Sequence, residues 1–276
     1  MIFRTASLAT LTCLAMTATA YADDSTLQFK FGAFQQNTDV TVASGINDTG
    51  EPGTELSLED LGHDNTDTNP WFSATWQLSE NWQLWGNYSS FSSGADTAID
   101  FSFDFGDLDI PQDIDELEGT LMTRSDFDAN VYVVNLGYNL YQSPSTEVDL
   151  GLGLHVVDMA MTIDARVETE EATREIGTGK SDVSAPLPNV VLFASHDLGS
   201  RWTLSSTLGW LSLKYDEYDG SLTAADVEID YTLTPHIGIG AGYRWVDYSV
   251  TQTKPKVTNS FDATFSGPTA YVSVRF

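Results

Sequence analysis

From about residue 27 to the C-terminus, apolar and polar or small positions alternate with a period of two. That is the period of a strand lying between two different environments. Ten segments carry it. The first sets Leu27, Phe29, Phe31 and Ala33 against Gln28, Lys30 and Gly32. The second sets Phe72, Ala74, Trp76 and Leu78 against Ser73, Thr75 and Gln77. In the third, Trp82, Leu84, Gly86 and Tyr88 alternate with Gln83, Trp85, Asn87 and Ser89. The fourth runs Tyr132 to Leu140 and the fifth Val148 to Val156, with Asp149, Gly151, Gly153 and His155 on the polar face. A sixth, about Leu187 to Asp197, is ambiguous because both faces are apolar around Val190 to Phe193. The seventh runs Trp202 to Trp210. The eighth carries Asp226, Glu228 and Asp230 on its polar face, the ninth Gly238, Gly240, Gly242 and Arg244, and the tenth Tyr271, Ser273 and Arg275.

The connections alternate in length. Short turns fall at Ser79 to Asn81, Gln142 to Thr146, Gly199-Ser200 and Thr234-Pro235. Long polar stretches fall at about 35–69, 92–126, 158–186, 212–223 and 246–266. Short periplasmic turns with long extracellular loops are the transmembrane-barrel pattern. Trp76, Trp82, Tyr141, Trp202 and Tyr231 crowd the strand ends near the short turns, as an interfacial girdle requires. An open sheet edge in lipid would leave backbone groups unpaired, so the sheet must close. The pattern therefore predicts an all-β fold, a transmembrane antiparallel barrel of about ten strands with both termini on the periplasmic side. The chain ends in alternation on Val272, Val274 and Phe276, which resembles the C-terminal signal read by the barrel assembly machinery.

The first residues change the picture of where this barrel goes. Arg4, the small and apolar stretch Ala6 to Ala20, and Ala20-Tyr21-Ala22 read as a secretory signal cleaved after residue 22. Residues 1–22 are expected to be the signal and 23–276 the barrel domain, located in the outer membrane of a Gram-negative bacterium. The one cysteine, Cys13, lies in the signal. The remaining chain can hold no disulfide and no cysteine-based metal or redox site, and no cofactor is expected.

Net charge is −28, from 12 Lys+Arg and 40 Asp+Glu. Phosphate recognition needs a basic face, so nucleic acid is excluded as a natural partner. Outer-membrane lipid and lipopolysaccharide are the expected surroundings. The acidic run Asp100, Asp104, Asp107, Asp109, Asp113, Asp115, Glu116, Glu118 reads as a solvated hairpin projecting above the membrane, with a weak divalent-cation site as the sharper alternative.

The polar faces point inward and predict a lumen charge network of Lys30, Asp149, His155, Asp226, Glu228, Asp230, Arg244 and Arg275. In a narrow barrel such charges pair and fill the interior. A three-residue turn at Thr234 to His236 sets Arg244 opposite Asp226 and Gly240 opposite Asp230. Two histidines invite a catalytic reading: His63 beside Asp60, Asp64 and Asp67, and lumenal His155 with Asp158 close in sequence. A His–Asp pair near a rim could act as a general base, but no motif supports it. The expected role is therefore structural or surface-interacting, with a largely filled lumen. A small passive, porin-like channel is the alternative, and a membrane-embedded hydrolase comes third.

The segments ELSLEDLGHDNTDTNP, RSDFDANVYVVNLGYNLY, EVDLGLGLHVVDM, SAPLPNVVL, YDEYDGSLTAADVEIDY and FSGPTAYVSVRF resemble a family of proteobacterial outer-membrane β-barrel proteins. The resemblance covers most of residues 54–276. It implies the same fold and location, and it brings no activity, ligand or catalytic residue.

Overall fold

The computed structural model describes residues 26–46, 53–106, 108–110, 119–169, 171–199 and 201–276. The expected signal peptide, Cys13, and Asp107, Asp113, Asp115, Glu116 and Glu118 of the acidic run lie outside the described residues.

Ten long strands form the wall: β1 (Leu27–Gly45), β3 (Thr66–Ser79), β4 (Trp82–Ala98), β7 (Thr120–Gln142), β8 (Thr146–Glu168), β9 (Thr173–Gly199), β10 (Trp202–Tyr215), β11 (Tyr218–Thr234), β12 (Ile237–Thr253) and β13 (Thr258–Arg275). All neighbours run antiparallel, and β13 pairs with β1 from Gln28↔Arg275 to Gly45↔Thr258, closing the ring. Three short strands lie inside this frame: β2 (Leu56–Ser57) against β1, and the hairpin β5 (Phe103–Phe105) with β6 (Leu108–Ile110). Closure satisfies the edge groups that lipid cannot.

Near the short turns the exterior is apolar. Leu136, Leu152, Leu192, Leu208, Ile229, Ile239 and Val272 are all exposed, while Asp149, Asn135 and Ser273 are buried inside. This is the inside-out arrangement of a barrel in lipid. It also resolves the sixth segment: Val190 and Leu192 face out, and Leu187 and Val191 face in.

The long connections carry the wall strands upward. Most of their residues are strand, and the wall continues well above the lipid-facing belt. Within single strands the apolar parity then reverses. In β8, Leu150, Leu152 and Leu154 face out, but Val157, Met159, Met161 and Ile163 are buried inside, with Ala160 and Asp164 exposed. In β7, Val134 and Leu136 face out, whereas Phe127, Ala129 and Val131 face in between exposed Asp126 and Asp128. In β12, Tyr243 faces out, while Val246, Tyr248 and Val250 face in. Water replaces lipid outside at this height, so the stable arrangement becomes that of a soluble sheet, apolar within and polar without. The barrel thus has two storeys of opposite polarity.

The upper storey is filled. The described part of the acidic hairpin does not project into solvent: Phe103, Phe105, Leu108 and Ile110 are buried, and Gly106 N–H donates to Ser44 C=O at 2.9 Å. Gly106 has φ 59, and a Cβ there would lie 2.8 Å from Lys180 O. Only glycine supplies that conformation without strain. The segment carrying Leu56, Leu58 and Leu61 also folds inward, and these leucines join Phe91, Phe127, Phe261 and Phe265 in one apolar cluster.

The wall is not paired along every seam: β3 pairs with β4 only as far as Trp71↔Ser89, although β3 begins at Thr66 and β4 runs on to Ala98, and β9 likewise parts from β10. Pairing of β9 with β10 stops at Val190↔Trp210, although both strands continue. Asp197 N–H bonds Ser145 C=O at 2.8 Å, so odd residues of β9 point their N–H groups toward β8 and even residues toward β10. The next two even positions are Pro186 and Pro188. Both donors that would extend the ladder are missing, as proline dictates at a strand edge. Beyond them, side chains satisfy the edge carbonyls: Tyr218 OH donates to Ser184 O at 3.2 Å and Asn259 Nδ2 to Asp182 O at 3.1 Å. The upper arm of β9 thereby leaves β10 and packs across the mouth, with Leu187 reaching Gly220 of β11.

Candidate functional site

Alternation brings the polar faces of β1, β11, β12 and β13 together inside the lower storey. Asp226 stands opposite Arg244 and Asp230 opposite Gly240, the register expected from the turn length. Arg244 Nε donates to Asp226 Oδ2 at 2.8 Å, and a second guanidinium nitrogen reaches Asn87 Oδ1 at 3.4 Å. Its guanidinium lies 4.9 Å from the Trp71 ring centre and 5.9 Å from that of Phe34, close enough for cation–π attraction. Lys30 Nζ donates to Glu228 Oε2 and lies 3.5 Å from Asp230 Oδ2 and 4.7 Å above the Tyr271 ring. Tyr271 OH donates to Asp230 at 2.9 Å. Buried charges cost several kcal/mol each unless paired, and each cation here sits against carboxylates.

Not every expected member joins. Asp149 is buried beside Asn139, whose Nδ2 donates at 2.8 Å, and it forms no ion pair among the described residues. Arg275 continues the inward parity but lies exposed at the short-turn rim, where its backbone N–H bonds His236 O. It is not part of the lumen network, because the wall ends before its side chain can be enclosed. Tyr271, Trp71 and Asn87 complete the network in their place. Their inward parity was visible in the sequence, but neutral side chains give no charge signal. Gly240 makes room for the tyrosine: a Cβ there would lie 2.4 Å from its ring.

Among the described residues, neither His63 nor His155 meets a carboxylate. His155 Nδ1 pairs with Tyr248 OH at 2.9 Å. Asp158 falls on the opposite parity, so the alternative of a His155–Asp158 pair does not arise, and His155 is a hydrogen-bonded lumen histidine. His63 is buried between Ser93 Oγ at 2.9 Å and Ser125 Oγ at 2.7 Å. It is a latch holding the inward-folded segment to β4 and β7, not a base beside Asp60, Asp64 and Asp67. Burial lowers its pKa below the ordinary 6.5, and Asp126 only partly opposes this. The folded state therefore binds fewer protons at this site than the unfolded one, and stability rises with pH there. Its contribution is complete above about pH 6.5 and declines as pH falls below that value. Limited proteolysis of the segment around residues 53–63 should accelerate below pH 6.5, and His63→Gln should flatten that response.

No group of three or more His, Cys, Asp or Glu placed to hold a metal ion occurs among the described residues. Asp104 of the acidic hairpin instead accepts hydrogen bonds from the backbone and hydroxyl of Thr54.

A closed ten-stranded ring with an apolar belt, a polar interior and short turns at one rim defines an integral outer-membrane β-barrel. Among solved structures, the outer-membrane protease OmpT from Escherichia coli is similar over 92% of this chain and 97% of its own, with TM-score 0.58 and 14% identity. OprG from Pseudomonas aeruginosa matches over 91% and 95%, with TM-score 0.39 and 13% identity. The toluene transporter TbuX from Ralstonia pickettii matches over 91% and 89%, with TM-score 0.36 and 12% identity. At 14% identity the likeness to OmpT speaks for the fold alone. No family model matches the sequence, and no curated protein matches it.

Proposed function

We propose that the protein is a closed, non-conducting barrel whose upper storey is a rigid extracellular platform with a structural or surface-interacting role. The observation that carries this reading is the apolar filling of the upper storey. Phe91, Phe105, Phe127, Phe261 and Phe265 are all at most 2% exposed inside the ring. Ions cross water-filled lumens, and a lumen packed at interior density offers none. On this reading residues 1–22 direct export and are removed, and Val272, Val274 and Phe276 engage the assembly machinery. The apolar belt then sits among lipid and lipopolysaccharide, and the acidic exterior of the upper storey meets any divalent cations there only weakly. Reconstitution into planar bilayers tests the central claim. The expected trace shows no discrete conductance steps over that of the bare membrane. Steps of reproducible size would instead favour a passive solute channel.

A further inference from the structure

Beneath the apolar storey the lumen keeps a cavity of about 120 Å³, lined by Trp85 and Phe193 on one side and by the Arg244–Asp226 and Lys30–Glu228 pairs on another. At roughly 10–15 Å³ of such volume per water, it holds on the order of ten waters or a solute of comparable size. Four amide side chains line it, each more than nine-tenths buried: Gln36, whose Oε1 accepts from Asn69 Nδ2 at 2.8 Å, and Gln83, Asn135 and Asn189. Gln83 Oε1, Asn135 Oδ1 and both amide atoms of Asn189 have no hydrogen-bond partner among the described residues. A buried amide left without any partner is destabilising, so these groups are expected to serve something in the cavity.

The cradle is shaped by glycine. A Cβ at Gly153 would lie 2.1 Å from Asn135 Oδ1 and 2.2 Å from Asn189 Oδ1. One at Gly137 would lie 2.6 Å from the Trp85 ring, and one at Gly209 would lie 2.9 Å from Asn189 Nδ2. Three strands thus omit side chains where Trp85, Asn135 and Asn189 converge. We propose that this cradle is a binding site for a neutral, polyhydroxylated ring of monosaccharide size.

Chemistry selects that class. Amides offer donors and acceptors together, which suits hydroxyl groups that are also both. The cavity's charges are engaged with one another, so a charged ligand would compete with existing ion pairs. An aromatic wall with a few convergent polar groups is the usual make-up of a small-molecule site, and the indole face offers a flat apolar surface for the C–H face of a sugar ring.

Saturation-transfer NMR on the folded full chain in detergent tests this, with D-glucose, D-galactose and N-acetylglucosamine as probes. At least one should receive saturation at its ring protons. Asn189→Leu and Trp85→Leu should each weaken binding roughly tenfold or more, since the first removes the hydrogen bonds and the second the platform. Folding of each variant is checked by heat-modifiable gel mobility, and Asn135→Ala serves if either fails. No transfer to any of the three probes in the folded wild type overturns the proposal and leaves a hydrated lumen. Transfer that persists in the folded variants also overturns it, because the sugar then binds elsewhere.

Discussion

Asp226→Ala should destabilise the folded barrel by about 3–5 kcal/mol, the cost of stranding one partner of a buried ion pair. Arg244 would keep the long contact to Asn87 and its aromatic neighbours Trp71 and Phe34, which do not neutralise its charge, and the nearby carboxylate of Glu228 is already engaged by Lys30. Urea titration of the protein in lipid vesicles, followed by tryptophan fluorescence, would read this as a lower midpoint at unchanged slope. The double substitution Asp226→Leu with Arg244→Met should recover most of the loss, because apolar replacement of a whole buried pair is often neutral or stabilising. An Asp226→Ala protein as stable as the wild type would mean that cavity water solvates the guanidinium as well as the carboxylate does, and the buried-pair reading would fail.

Phe127→Ala should cost a comparable amount, about 3–5 kcal/mol, although its site is outside the lipid-facing belt. The ring is 0% exposed and lies 6.1 Å from that of Phe91. Its removal would leave a void among side chains fixed on several wall strands, where relaxation is limited. The same urea titration checks it. A loss below about 1 kcal/mol would show that the upper storey is loosely packed, and the proposed seal would fail with it.

Strand number, closure and the identity of the lipid-facing side were legible because alternation is local: a side chain's face follows from its own position in the strand. Residues such as Leu152, Val134 and Ile239 need no partner to declare themselves. The same locality made the Asp226–Arg244 register readable across a three-residue turn. The upper storey was hidden by a change of solvent. The stretches 158–186 and 246–266 are polar on average and resemble loops, yet Val157, Met159 and Met161 keep the period of two with its sense reversed. That reversal is in the sequence. Its meaning depends on knowing the height at which lipid ends, and composition does not give that height.

Other features belong to the tertiary structure alone. Pro186 and Pro188 are plain in the sequence, but only the assembled sheet shows that their missing donors face β10 and let β9 cross the mouth. Phe103 and Phe105 alternate like a hairpin in either environment, and whether that hairpin projects or folds inward is decided by the space enclosed above the belt. His155 shows the same limit: parity placed it in the lumen, but its partner, Tyr248, lies 93 residues away on another strand. Proximity in sequence had suggested Asp158, which the pleat turns to the opposite face. Local chemistry fixed what each residue would tolerate around it, and barrel closure chose which distant side chains would be there.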